Sequence, residues 1–257
     1  LFERLMGAFR THWKTRALDL HDPELPLVAI VFSDAEQFAK FATKDAGPAV
    51  ANAKGYYSIR TNRMVLYDLT ADGKSDRAVT PAAVNRKIAA SPFNVATVVH
   101  EATHQIAFNC GMHTRYADNP LWLSEGMAMY FETPDLKSRN GWRTVGKVNA
   151  VRLNRFHDYA RKRRKANALE SLLSSNARFA NAETAEDAYA ESWALNYFLI
   201  KTRRKQYMDY LNRLSKKPAL IWDEPESKVQ AFRASFGDDL QTLDRRFLQY
   251  VGRLGKR

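Results

Sequence analysis

The spacing of apolar residues at the start of the chain is typical of a helix. Leu1, Leu5, Phe9 and Trp13 recur every four residues, so a helix within residues 1–18 would bury them on one face. The run 26–32 is almost wholly apolar, which predicts a buried strand. The first part of the chain therefore combines helix and strand.

Capping and turn residues divide the next segment into a helix and a strand pair. Ser33 or Asp34 would cap the helix. Residues 55–59 and 64–69 predict two strands joined by a short turn. Glycine and proline within residues 72–81 mark a polar connection to the helix that follows.

That following helix has clear signals at both ends. Ser91 is a favourable N-cap residue, and Pro92 occupies the favoured first helical position. Gly111 is a natural stop after Cys110. We therefore predict a helix over residues 92–110, with one face buried through apolar residues at helical spacing: Val95, Val98, Val99, Ala102 and Ile106.

The rest of the chain is predicted to be mostly helical. We expect helices over residues 119–132, 148–166, 168–174 and 183–202, and further helices to the C-terminus. The sequence contains no internal repeat and no low-complexity linker. It predicts an α+β, helix-rich fold in a single domain over residues 1–257, with a small α/β lobe to about residue 90, a helical lobe after it, and a cleft between the lobes.

The string His100-Glu101-Ala102-Thr103-His104 is the H-E-x-x-H pattern, and it lies inside the predicted helix 92–110. Histidines four apart lie on one helix face, about one turn (roughly 5.4 Å) apart, and can bind one zinc ion together. Glu101 flanks the metal, where a general base would take a proton from a zinc-activated water. Two histidines on an ordinary helix surface are the alternative. The apolar flanks favour a metal, because burying unpaired imidazoles costs free energy.

A third zinc ligand is predicted on the next helix. Asn119 would cap that helix and Pro120 would occupy its first turn. Glu125 is an isolated carboxylate in an otherwise apolar stretch and needs a partner, for which zinc is a good candidate. The alternative is a glutamate that points to solvent from an amphipathic helix.

At these residues the chain resembles a known class of enzymes. His100-Glu101-x-x-His104, followed by Trp122-Leu123-Ser124-Glu125-Gly126-x-Ala128, is similar to the gluzincin class of zinc metallopeptidases. A closer resemblance is to a bacterial gluzincin-like domain family of unassigned substrate. It continues after Ala128 through Tyr130-Phe131-Glu132. It extends upstream to Gly55-Tyr56-Tyr57 and downstream to Asn149-x-x-Arg152-Leu153 and Tyr189-Ala190-x-Ser192-Trp193.

The resemblance implies a zinc metallopeptidase with a thermolysin-like architecture, its zinc helix lying between the two lobes. It implies His100, His104 and Glu125 as ligands of one Zn²⁺ per chain, and Glu101 as the base. In gluzincins a strand at the sheet edge beside the zinc helix binds extended peptide, and residues 64–68 are the candidate for that strand. A metzincin would need a histidine at position 110. Cys110 is there, and we interpret it as a small buried residue at the helix end.

Composition sets limits on compartment and partners. No apolar run reaches about 18 residues, so no transmembrane segment is predicted. A single cysteine cannot form a disulfide within the chain, and the chain begins at Leu1 rather than Met. Localisation stays unknown, with export as one option.

Positive charge dominates the sequence, with a formal net charge of +12. The densest cluster of basic residues is 161–165, and a smaller one lies at 203–205. Such runs can attract an acidic partner, but a solvated surface is the simpler interpretation. No zinc-finger spacing or interleaved aromatic pattern accompanies them, so no nucleic-acid partner is expected.

These observations favour a metallopeptidase acting on a peptide or protein substrate, with endopeptidase activity preferred over exopeptidase activity. The family-like segment makes Tyr189 the first candidate to stabilise the oxyanion, with Tyr197, His157 and Arg115 as rivals. One alternative is a zinc-bearing binding domain with little turnover, which docks an acidic partner through its basic surface. Another is hydrolysis of a non-peptide amide or ester.

Overall fold

The computed structural model of the chain describes residues 1–16, 18, 20–68, 80, 86, 90–136, 138 and 142–255. Most of the predicted polar connection at 72–81 lies outside the described residues, as does Leu69 at the end of a predicted strand. The described residues form an α+β, helix-rich fold in which three strands make one small sheet.

The N-terminal helix α1 spans Phe2–Lys14 and buries the predicted apolar stripe. Leu5, Phe9 and Trp13 are fully buried, whereas Leu1 lies outside the helix and is exposed. Phe9 packs against Phe131, with 5.2 Å between ring centroids. The first helix therefore packs on the helical part of the core.

The sheet contains strands β1 (Val28–Phe32), β2 (Gly55–Ser58) and β3 (Arg63–Tyr67) in the order β1-β3-β2. Strand β3 runs parallel to β1 and antiparallel to β2. The strand pair predicted at 55–59 and 64–69 is thus confirmed. The suggestion that 64–68 is the edge strand is wrong, because β3 is central and β2 is the edge strand that contacts the zinc helix.

The prediction that the run 26–32 forms a buried strand is also wrong. β1 pairs with β3 alone among the described strands, and Val28 and Val31 are exposed. An apolar run cannot reveal whether its strand has neighbours on both sides, because that depends on the order of the strands. Helix α2 (Ala35–Ala46) follows, and Asp34 caps it by accepting a hydrogen bond from the Gln37 amide.

The helix that carries the H-E-x-x-H pattern is α3, Pro92–Asn109, with Cys110 as its C-cap. Gly111 follows with a φ of +83°, a left-handed conformation that ends the helix at low cost for glycine. Helix α4 spans Leu121–Phe131 and begins two residues after Asn119, which hydrogen-bonds the carbonyls of Thr114 and Ala117 instead of capping the helix.

The remaining helices follow the predicted order. A single turn of 3-10 helix also occurs at Pro48–Val50, and the helices after α4 are α5 (Ala150–Lys162), α6 (Ala168–Ser174), α7 (Ala177–Ala180), α8 (Ala185–Thr202), α9 (Arg204–Leu214), α10 (Pro225–Phe236) and α11 (Leu240–Val251). Each helix that the structure describes is too short or too polar to cross a membrane.

Helices α4 and α8 form the centre of the helical core, and a glycine lets them approach closely. A Cβ atom on Gly126 would lie 2.0 Å from Asn196 Nδ2 and 2.3 Å from the Ser192 carbonyl oxygen. Asn196 in turn donates to the Trp122 carbonyl at 2.9 Å. This close packing fixes the position of α4, which carries Glu125.

Candidate metal centre

His100, His104 and Glu125 converge at one point between α3 and α4. His100 Nε2 lies 3.1 Å from His104 Nε2 and 3.1 Å from Glu125 Oε2. His104 Nε2 lies 3.4 Å from Glu125 Oε1. All three side chains are at least 86% buried, so the group is a compact cluster of two nitrogen donors and a carboxylate.

The spacing of these donor atoms fits a single bound metal ion. Ligand atoms about 2.05 Å from a tetrahedral zinc ion are roughly 3.3 Å from one another. The observed separations of 3.1 to 3.4 Å lie close to this value. Three protein ligands leave a fourth position for water or substrate, which is typical of catalytic zinc sites. The three residues could therefore hold a metal ion.

Glu132 contacts His100 on the side away from Glu125 and His104, a role that was not predicted from the sequence. Its Oε1 lies 2.7 Å from His100 Nδ1, and its Oε2 accepts a hydrogen bond from Asn149 at 3.0 Å. A proton on Nδ1 leaves the lone pair of Nε2 free for a metal, and the carboxylate makes the imidazole a stronger ligand. The only signal in the sequence was the position of Glu132 in the quoted family-like segment.

The electrostatics of the cluster suit a cation. Burial alone would lower the pKa of His100, but the hydrogen bonds and charges of Glu125 and Glu132 raise it well above its ordinary value. Burial raises the pKa of Glu125, yet the charges and hydrogen bonds of His104 and His100 outweigh this and lower it strongly. Without a metal, these groups share a proton. A bound metal ion would displace that proton.

Glu101 is held in place by the backbone of the edge strand. Its Oε2 accepts a hydrogen bond from the Tyr57 amide at 2.8 Å. Burial raises the pKa of Glu101 above its ordinary value, although the charges of His100 and His104 oppose the shift. A carboxylate with a raised pKa, next to the metal ligands, is suited to accept a proton near neutral pH.

A cavity of about 700 Å³ opens over this cluster. His100, His104, Glu101 and Glu125 line it on the helix side. Residues of β2 and the segment before it line the opposite wall, and Tyr189 on α8 also faces the cavity. Burial, together with the charges of Glu125 and Glu101, raises the pKa of Tyr189 to about 12, so its hydroxyl stays protonated and able to donate.

The rivals of Tyr189 are engaged elsewhere. Tyr197 packs in the core beside Trp193, with ring centroids 5.3 Å apart. His157 Nε2 lies 3.1 Å from the Val251 carbonyl oxygen. Arg115 donates to the Ile59 carbonyl at 3.1 Å, which fixes the chain after β2. Tyr189 is therefore the one of these four side chains that lines the cavity.

Cys110 is fully buried and lies outside the group of possible metal ligands, as the sequence analysis expected. Its Sγ packs 3.8 Å from the sulfur of Met6 on α1.

Comparison with known families gives one match. Residues 94–220 match a family model described as "Protein of unknown function (DUF1570)". This segment covers just under half of the chain and includes His100, His104, Glu125 and Tyr189. No match was found among curated proteins or among solved structures. The similarity thus coincides with the part of the chain that builds the site, and it carries no activity with it.

Proposed function

We propose that the protein is a zinc-dependent metallopeptidase of the gluzincin type, with a thermolysin-like arrangement of zinc helix and third ligand. The observation that carries this proposal is the convergence of His100, His104 and Glu125 at separations of 3.1 to 3.4 Å beneath an open cavity. Glu101, one residue after the first ligand, adds the general base that a purely structural zinc site does not need.

The side chains have distinct roles in this proposal. Zinc bound by the three ligands would lower the pKa of a water molecule towards neutrality and polarise the scissile carbonyl. Glu101 accepts the proton of the attacking water and passes it to the leaving amine. Tyr189 donates a hydrogen bond from its hydroxyl to the oxygen that becomes negatively charged. Glu132 holds the imidazole of His100 in the ligating tautomer.

The substrate lies along β2 in this proposal. β2 is an edge strand, and the Tyr57 amide points away from β3 towards Glu101. Because amide and carbonyl groups alternate in direction along a strand, the backbone of Gly55 faces the same side as that of Tyr57. The Tyr57 amide is occupied by Glu101, so the backbone of Gly55 and the Tyr57 carbonyl are the groups that can pair with an extended peptide. The cavity is open to solvent and is lined from Val50 before β2 to Ile59 after it, which leaves room for a chain on both sides of the scissile bond and favours an endopeptidase.

The test uses purified protein and internally quenched peptides that are blocked at both ends. We expect about one zinc per chain, and His104→Ala should lose the metal because two ligands bind it far more weakly. Glu101→Gln should keep the zinc and the fold but lose cleavage. Cleavage by Glu101→Gln at the rate of the parent would refute the mechanism.

The competing hypothesis of a zinc-bearing binding domain depends on a free basic surface. Most of the run 161–165 is already paired: Arg163 contacts Asp187 at 2.9 Å, and the buried Arg164 contacts Glu191 at 2.7 Å. The smaller run 203–205 makes no ion pair within the described part of the chain, so its charges are available to an acidic partner. A zinc-loaded protein that is inert towards every peptide, ester and non-peptide amide would favour this hypothesis.

A further inference from the structure

A row of exposed apolar side chains lies at one end of the cavity. Its members come from three separate segments, and their exposed fractions are substantial: Ile59 39%, Tyr116 42%, Leu220 66%, Ile221 57% and Trp222 67%. We call these five residues the apolar rim. Single exposed apolar residues need no explanation, but several on adjoining segments are typical of an interaction surface.

Hydrogen bonds join the three segments of the apolar rim to one another. The Leu220 amide donates to the Tyr116 carbonyl at 2.7 Å. The Tyr116 hydroxyl donates to the Arg60 carbonyl at 3.3 Å, directly after Ile59. These hydrogen bonds place the three segments next to one another.

Buried and charged contacts hold the outermost segment in place. The Asp223 amide donates to Asp118 Oδ2 at 3.0 Å, and Lys228 contacts the same carboxylate at 2.9 Å. Thr114 donates to the Ser215 carbonyl at 2.9 Å. The exposed side chains of residues 220–222 are thus presented by an anchored loop.

The backbone of the apolar rim adopts an unfavourable conformation at two places. Tyr116 has a φ of +61° and Leu220 a φ of +63°, in the left-handed region that bulky residues avoid. Such conformations persist where surrounding contacts enforce them, and they are concentrated at functional sites. Here the two residues are those joined by the 2.7 Å hydrogen bond.

The apolar rim continues the wall of the cavity. Ile59 itself lines the cavity, and so does Ala117, the residue after Tyr116. Ile59 also directly follows β2, the strand along which a peptide would lie. A chain that leaves the cleft at this end of β2 therefore passes over Ile59 and Tyr116 towards residues 220–222.

Resting on the proposed function, we propose that the apolar rim is an exosite that binds apolar side chains of an extended, unfolded polypeptide substrate. The enzyme would then favour long unfolded chains with apolar residues beyond the cleavage site over short peptides. Continuity with the cleft favours this occupant over a membrane surface or a second copy of the chain.

Two matched double variants test the exosite. Ile221→Ser/Trp222→Ser removes two exposed side chains of the apolar rim. Leu25→Ser/Val31→Ser removes two side chains of similar exposure, 73% and 59%, elsewhere on the surface. All four side chains are largely in solvent, so neither variant should lose its fold, and both should keep the parent melting temperature and zinc content.

The first experiment measures binding of an unfolded chain and does not require cleavage. The probe is an unfolded polypeptide, ribonuclease with its cysteines reduced and alkylated, and the enzyme carries Glu101→Gln. Four of the five tryptophans are buried and Trp222 is exposed, so iodide quenching reports on Trp222. We expect the probe to protect Trp222 from iodide in the parent and in the control variant. Because the rim variant lacks Trp222, affinities are compared by the fluorescence anisotropy of a label on the unfolded chain. The rim variant should lose about tenfold in affinity, since burial of two partly exposed apolar side chains is involved, while the control variant keeps the parent value.

The turnover arm connects the exosite to cleavage. The kcat/KM for the labelled unfolded chain should fall about tenfold in the rim variant. The kcat/KM for a short blocked peptide that does not reach beyond the cleft should stay at the parent value. If no substrate is cleaved, the peptidase proposal fails, but protection of Trp222 still supports the exosite.

Three outcomes would overturn the exosite. The first is equal affinity of the rim and control variants for the unfolded chain. The second is binding of vesicles of phosphatidylcholine and phosphatidylglycerol that is lost in the rim variant, with no protection by polypeptide. The third is a concentration-dependent dimer that the rim variant abolishes.

Discussion

The contact between Glu132 and His100 makes a quantitative prediction about zinc affinity. Glu132 Oε1 and His100 Nδ1 are 2.7 Å apart, and both side chains are nearly buried. Replacing Glu132 by alanine removes a hydrogen bond to a charged group, which contributes about 1.5–3 kcal/mol in a buried setting. Loss of a carboxylate behind a zinc-binding histidine typically costs about 10–100-fold in metal affinity, or roughly 1.4–2.7 kcal/mol, and the two estimates agree.

The loss of zinc affinity in Glu132→Ala should depend on pH in one direction. Glu132 helps to raise the pKa of His100 in the metal-free chain, so zinc must compete with a proton there. The affinity of the parent therefore falls as the pH drops through this raised pKa. In Glu132→Ala the pKa of His100 is lower, and the fall begins at a lower pH. The ratio of parent to variant affinity should thus be larger at about pH 8 than at about pH 6.

The assay is competition for zinc with a chromophoric chelator, on protein that has first been stripped of metal. Glu132→Gln keeps the shape and an acceptor oxygen but loses the charge, so its affinity should lie between those of the parent and Glu132→Ala. Glu186→Gln is the control, because Glu186 lines the same cavity but is 65% exposed and contacts only Arg152 among the described ion pairs, at 3.6 Å. A zinc affinity of Glu132→Ala within about twofold of the parent would refute the reasoning.

Further substitutions test the packing, the acid response and the oxyanion donor. Gly126→Ala places a methyl group 2.0 Å from Asn196 Nδ2, so urea unfolding should show a loss of about 1–3 kcal/mol; an unchanged midpoint would contradict the close approach of α4 and α8. Burial, followed by the charges of nearby cations, lowers the pKa of His12 from 6.5 to about 3, so its contribution to stability is present above pH 6.5 and is lost as the pH falls towards 3. The free energy of unfolding of His12→Phe should therefore decline less than that of the parent over this range, and parallel declines would exclude His12 as the cause. Tyr189→Phe should keep the zinc content and melting temperature but lose about 10²–10³ in kcat on blocked peptides, and a loss below about tenfold would assign the oxyanion to another donor.

The bounds of the zinc helix could be predicted because their signals are local. Residues 92–110 were predicted from a cap, a proline and a glycine, and α3 spans Pro92–Asn109 with the left-handed Gly111 after it. A cap or a glycine acts through backbone conformation within one helical turn, so neighbours in sequence suffice. The apolar stripe of α1 was predictable for the same reason.

The neighbours of a strand could not be predicted in this way. The run 26–32 was taken as buried and 64–68 as the edge strand, yet among the described strands β1 is at an edge and β3 is central. Both errors have one cause: hydrophobic pattern describes the faces of a strand, whereas its edges are decided by which strands pair. The choice of β2 as the strand beside Glu101 came from the sheet order alone.

The environment of the basic run 161–165 also depends on tertiary contacts. The run was interpreted as a solvated surface, but the side chain of Arg164 is buried between Glu191 and Asp244. Those carboxylates lie 27 and 80 residues away in the chain, so no local pattern announces them. Long-range ion pairs therefore make Arg164 part of the helical core instead of the solvated surface that the sequence predicted.

The sequence by itself determined the two histidines on one helix face, with Glu101 beside them, because helical periodicity fixes side chains four residues apart. It also singled out Glu125 as a carboxylate in need of a partner. Only the tertiary structure decided that Glu125 meets the histidines, that Glu132 lies behind His100, and that the Tyr57 amide holds Glu101. These contacts span 25 to 44 residues of chain, and they depend on how closely α4 packs on α8 and which strand faces α3. The spacing of residues in the sequence places His100 and His104 on one face of α3. The packing of the other helices and of the sheet brings Glu125, Glu132 and the Tyr57 amide to that face.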